Sequence, residues 1–163
     1  MNVHLRVERD MLCRFYYLLE KGFMVDAEVG CTVRDLLCRQ FGIDEKYVDE
    51  RIQTIFIDGK TIDDVDTAVV RERASLAMSA AMPGLIGATL RKGSYYAAMR
   101  GEISYQSKDI LQTMKKGRVA IKLFNMLAHE LGERFLTRGV WIPYADLIGL
   151  FEHEDKGFSA GCR

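Results

Sequence analysis

Neither sign of charge prevails in this 163-residue chain: lysine and arginine total 23, and aspartate and glutamate total 23. That balance excludes the global electrostatic footprint that would point to a nucleic acid or an anionic membrane. No apolar run approaches the length of a bilayer-spanning helix, and Met1-Asn2-Val3-His4-Leu5-Arg6 holds no apolar signal core. A cytoplasmic protein without a membrane partner is the expectation. The 4 cysteines, Cys13, Cys31, Cys38 and Cys162, contain no Cys-x-x-Cys pair, so the pattern indicates neither a zinc site nor a disulfide framework. Reduced thiols and no cofactor follow. What remains is 48% hydrophobic and 28% charged, enough for one or two small cores.

The most readable stretch begins at Phe23-Met24-Val25-Asp26-Ala27-Glu28, where apolar and acidic residues alternate as in a half-buried strand. Thr32 can cap a helix whose Val33, Leu36, Leu37 and Phe41 share one face, with Gly42 as its stop. Ile52 to Ile57 reads as a strand, and Asp58-Gly59 is a tight-turn signal that opens a hairpin. Leu76, Met78 and Ala80 then alternate along another strand until Met82-Pro83-Gly84, where proline removes a ladder donor. Upstream, residues 12–19 fit two patterns. Met11, Leu12, Phe15, Tyr16 and Leu19 match a helix face, but the aromatic content and the following Gly22 favour a strand paired with Phe23 to Glu28.

Glycines at 87, 93 and 101 punctuate the apolar pieces from Leu85 to Tyr105, which read as strands or a hairpin turning at Arg91-Lys92-Gly93. Lys115-Lys116-Gly117 reads as a loop, Val119 to Phe124 as a strand, and residues 126–136 as an amphipathic helix ended by Gly139. Trp141-Ile142 starts a short strand, Pro143 to Phe151 a last helix, and residues 153–163 a mobile tail. Arg14 to Leu19 echoes Lys122 to Leu127, a likeness that two strand-plus-helix units share by physics alone. The expected division is a domain over 1–90 and a strand-helix extension, or a second small α+β unit, over 91–152.

Charge is unevenly distributed. Residues 1–90 carry 11 basic and 15 acidic side chains, whereas residues 91–122 carry 8 basic and 2 acidic. Within that centre, Arg91, Lys92, Arg100, Lys108, Lys115, Lys116, Arg118 and Lys122 interleave with Tyr95, Tyr96 and Tyr105. Such a mixture can neutralise phosphates and stack on single-stranded bases, or form a solvated surface that meets the acidic first half. Cys31, beside the helix start at Thr32, sits where a helix N-terminus favours a thiolate, although no histidine lies nearby in sequence to act as its base. Cys38 is two helical turns away, too far for a disulfide. His129-Glu130 lacks the second histidine of a zinc-protease motif, since Glu133 occupies that position. Asp63, Asp64 and Asp66, like Glu152-His153-Glu154-Asp155, read as solvated charge runs.

From Cys13 to Gly84 the chain resembles the β-grasp family of the molybdopterin-synthase small subunit and the thiamine-biosynthesis sulfur carrier. The likeness rests on Gly30-Cys31-Thr32-Val33-Arg34-Asp35-Leu36-Leu37, on Phe56-Ile57-Asp58-Gly59-Lys60, and on a late strand reaching Ala81-Met82-Pro83-Gly84. It implies an α+β fold with a β-grasp (ubiquitin-like) N-terminal core. In that family an exposed C-terminal Gly-Gly becomes a thiocarboxylate; here Leu85 follows Gly84 as the first of 79 further residues. Met82, Pro83 and Gly84 mark the equivalent of the family's tail, and sulfur carriage would require cleavage after Gly84. With no assembled catalytic constellation, the leading expectation is a non-catalytic interaction or assembly module. Its partner is a protein, including a second copy joined through residues 85–105 at a sheet edge.

Overall fold

Alternation in Phe23–Val29 produces strand β1, with Phe23, Val25, Ala27 and Val29 buried and Asp26 and Glu28 exposed. The computed structural model, which describes residues 5–106 and 113–153, places this strand in a mixed α+β fold. Its other strands are β2 (Thr54–Ile57), β3 (Lys60–Thr61), β4 (Ser75–Ser79) and β5 (Lys115–Phe124). They form one five-stranded sheet in the order β1-β5-β4-β2-β3. β5 runs antiparallel to β1 and parallel to β4, while β2 is antiparallel to both β4 and β3. Asp58 and Gly59 take positive φ values of 49° and 77° in the tight turn between β2 and β3.

Between β1 and β2, Thr32 caps a helical segment by accepting the backbone N–H of Asp35 at 3.1 Å. The segment, Asp35–Gln40, is widely wound: Phe41 N–H reaches back five residues to Leu36 O. Leu36 and Leu37 are fully buried by it. A second wide turn, Tyr47–Arg51, is tied down where Tyr47 and Arg51 both donate to the Glu130 carboxylate.

Residues 12–19 are not a strand. They belong to helix α1 (Leu12–Lys21), because the residues that become buried, Phe15, Leu18 and Leu19, recur at three-and-four spacing while Tyr17 stays 57% exposed. Gly22, at φ 116°, ends the helix. The strand beside β1 is therefore β5, and the pairing begins at Phe23 with Ile121. Lys115-Lys116-Gly117 is likewise strand rather than loop. Both lysines lie at its exposed end, and a Cβ on Gly117 would come within 2.0 Å of the Glu72 carboxylate, which accepts the Arg118 backbone N–H at 3.2 Å.

The stretch from 85 to 105 is helical, not extended: α2 (Gly84–Leu90) is followed by a tight 3₁₀ segment, Tyr95–Ile103, kinked at Gly101. Gly87 permits the first of these, since a Cβ there would sit 1.8 Å from the Met82 carbonyl oxygen. Past β5, helix α3 (Met126–Arg138) buries Leu127, Ala128, Leu131 and Phe135, and the Phe135 ring packs edge-on to Phe23 and Phe41 at 5.2 Å. Trp141 makes a single antiparallel bridge to Met24 before α4 (Tyr144–His153), which adds Leu150 to a small cluster with Phe15 and Leu18. The main core joins Val25, Leu37, Ile55 and Met78 to Ile121, Leu127 and Phe135, so it draws on both halves of the chain. Among the described residues, no helix is long and apolar enough to cross a membrane.

Candidate functional site

Two surfaces stand out, one on each side of the sheet's length. The first is the arm formed by α2 and the 3₁₀ segment. Its anchor is Arg100, a fully buried side chain that grips Asp63 at 2.8 Å and also donates to the carbonyls of Thr89 and Arg91. Lys92 adds a second tie, its Nζ donating to Val48 O at 2.6 Å and its backbone N–H to Gln53 O, and burial lowers its pKa. Tyr105 N–H donates to Thr61 O and Ser104 bridges Thr61, so the end of the arm covers the β3 edge. Outward, the arm is apolar: Leu85, Ile86, Tyr95 and Met99 are 65%, 70%, 93% and 69% exposed, and Ile103 is exposed as well.

The basic residues of the sequence centre do not form one patch. Arg91 is exposed, but Arg100 and Lys92 are spent inside the arm, and Tyr105 packs against the core. Tyr95 and Tyr96 stack edge-on to each other at 5.5 Å. Lys115 and Lys116 lie on β5 opposite Val29 and Glu28. Lys108 is outside the described residues.

The second surface is a cleft of about 1080 Å³ over the outer face of β1 and β5. Asp26 accepts from Arg118 Nε at 2.9 Å and from Trp141 Nε1 at 3.1 Å, and these bonds, the indole's first, hold its carboxyl below the usual carboxylate range. The Arg118 guanidinium also lies 4.0 Å from the Trp141 ring centre. Gln40 clasps the main chain of Glu28 with both ends of its amide at 2.8 Å, and Trp141 pairs with Met24. Both ends of the β1 edge are thereby covered, so neither sheet edge offers a long free ladder for strand pairing.

Met82, Pro83 and Gly84 form the turn into α2, and Gly84 has a positive φ of 74°. Leu85-Ile86-Gly87-Ala88 therefore does not bury this junction as an extended piece would; Pro83 to Ile86 are exposed. Cys31 is 2% exposed, donates to Glu28 O and accepts from Gln40 Nε2, and burial raises its pKa, which opposes a standing thiolate. His129 stacks edge-on to Tyr16. Asp63 and Asp66 are held in ion pairs by Arg100 and Arg34, while Asp64 accepts the Asp66 N–H. No group of three or more His, Cys, Asp or Glu side chains among the described residues is arranged to hold a metal ion; positions 154 and 155 of the acidic tail lie outside them.

Sequence reasoning missed the Asp26-Arg118-Trp141 group because its members are 92 and 115 positions apart. It expected a second copy to join through residues 85–105 at a sheet edge, without singling out Leu85, Ile86 or Met99. The available signal was an apolar glycine-bounded segment too short for a core helix. Comparisons with family models, curated proteins and solved structures find no match.

Proposed function

We propose that this protein is a non-catalytic association module that pairs with a second copy of itself through the arm. The observation that carries this reading is the exposure of Leu85, Ile86, Tyr95 and Met99 together on one anchored segment. Solvent-facing apolar clusters of this kind mark association surfaces, and the same patch on two copies can close a two-fold contact. A second copy is favoured as occupant because the chain's formal net charge is +0, so two copies meet without net repulsion. Sedimentation velocity over a concentration series tests it. A reversible dimer is expected, and a strict monomer at the highest concentration removes the proposal.

We also infer that the sheet is a β-grasp with its central strand supplied from late in the chain. A β-grasp carries a central parallel pair flanked by antiparallel strands, with a helix across one face. The parallel β4 and β5, flanked by β2 and β1, support that reading. The same arrangement weakens the sulfur-carrier alternative. Residues up to Gly84 lack β5, so a chain cut there has to keep its second fragment bound to retain the strand between β1 and β4. Intact-mass analysis of the native protein, looking for a thiocarboxylate at Gly84, tests that alternative. Single-stranded nucleic-acid binding is disfavoured by the internal engagement of Arg100 and Lys92.

A further inference from the structure

The cleft over β1 and β5 combines committed and uncommitted charges. Asp26 and Arg118 neutralise each other, whereas Glu72 accepts the Arg118 backbone N–H and keeps its negative charge. Arg138 uses one guanidinium nitrogen on Gln40 O and lies over the Phe41 ring, leaving further donors. Arg73 and Lys116 line the same cleft with no side-chain hydrogen bond or ion pair among the described residues. Three elements thus contribute spare positive charge: the turn before β4, the start of β5 and the end of α3. Against them stand two carboxylates without a cationic side-chain partner among the described residues, Glu28 and Glu72, so the lining is net positive by one.

We propose that this cleft is a docking surface for an acidic, extended peptide segment of a partner protein. Charge complementarity selects the occupant. The spare cations sit on separate elements around a cleft of about 1080 Å³, a volume suited to several residues rather than to one small anion. Among the described residues its lining holds a single glycine, Gly117, rather than a glycine-rich loop of backbone N–H groups, the device that gathers concentrated phosphate charge. Glu28 and Glu72, interspersed among these cations, repel a compact polyanion but can accept the main-chain N–H groups between a peptide's acidic side chains. This docking does not depend on self-association, because the arm contributes no residue to the cleft.

Trp141, the single tryptophan, touches Asp26 and Arg118 and so reports on the site by its fluorescence. The full chain is titrated with blocked hexaglutamate, with hexalysine and inorganic pyrophosphate as controls. The expected result is a saturable Trp141 signal for hexaglutamate that weakens with salt and weakens at least tenfold in Arg73→Glu/Lys116→Glu. Far-UV circular dichroism of that variant checks its fold, and Lys116→Gln alone, which carries no reversed charge, is expected to weaken binding by a smaller factor. The proposal is overturned if hexaglutamate fails to bind, if both variants bind it as the parent does, or if pyrophosphate binds more tightly at the same cations.

Discussion

The sheet core and the arm are both rich in apolar residues, yet they use them in opposite directions. In β1, β4 and β5 the apolar positions turn inward, and Val25, Leu76, Met78, Val119 and Ile121 have no exposed surface. In the arm, the buried side chain is a cation, Arg100, and the apolar side chains face solvent. Attachment differs accordingly. The core closes by hydrophobic burial over many residues, whereas the arm holds by a few polar ties, beside Thr54 and Thr61 hydroxyls that are buried without partners among the described residues. A segment fastened in this way opens more cheaply than the core, and its exposed apolar surface is the basis of the proposed self-association.

The contrast can be broken most severely from the core side. Phe135→Ala removes a ring held between Phe23 and Phe41, and we expect it to cost about 3–5 kcal/mol in denaturant unfolding. Loss of the whole cooperative transition, arm included, is the predicted form. From the arm side, Arg100→Met leaves the Asp63 carboxylate with the Gly93 N–H but without its cation, and removes the side-chain donor to two carbonyls, worth about 2–3 kcal/mol. Hydrogen exchange should then quicken over residues 84–103 while β1, β4 and β5 stay protected; equal acceleration throughout would erase the distinction between the two regions. Leu85→Asp/Met99→Asp touches only the outward face, so at dilutions that keep the chain monomeric its thermal midpoint should shift by no more than about 0.5 kcal/mol would produce.

A smaller effect concerns pH. The Arg51 guanidinium, with the Tyr47 hydroxyl, lowers the Glu130 pKa although partial desolvation opposes the shift. A depressed carboxylate contributes stability fully above its unfolded value of about 4.3 and loses it as pH falls through the folded value. The stability difference between the parent and Glu130→Gln should accordingly be constant from pH 6 to 8 and shrink below about pH 4. A difference that stays constant into acid would show that the ion pair contributes nothing.

Local signals in the sequence led to the right elements wherever a residue's role is decided by near neighbours. Alternation gives β1 and β4, Thr32 gives the cap, Asp58-Gly59 the turn, and the spacing of Leu127, Leu131 and Phe135 gives α3. Long-range packing decided the rest. Tyr16 and Tyr17 raised the strand content of residues 12–19, but it is burial of Phe15, Leu18 and Leu19 that makes them helix. Val119 to Phe124 reads locally as a strand, but its start at Lys115 and its pairing with β1 are decided at long range. Glycines in the arm read as strand punctuation, whereas Gly87 is there because the Met82 carbonyl leaves no space for a Cβ. Arg100 looked like a binding cation because its burial and its pairing with Asp63, 37 positions away, leave no local trace. The candidate surfaces were accordingly less legible than the core.

The central claim is that the arm's outward apolar face joins two copies of the chain. Sedimentation equilibrium of the parent and of Leu85→Asp/Met99→Asp, at the same concentrations and ionic strength, tests it directly. We predict a parent mass that rises toward twice 18.6 kDa with concentration and a variant that remains at 18.6 kDa with an unchanged fold. A parent that stays monomeric, or a variant that dimerises as the parent does, would contradict the account.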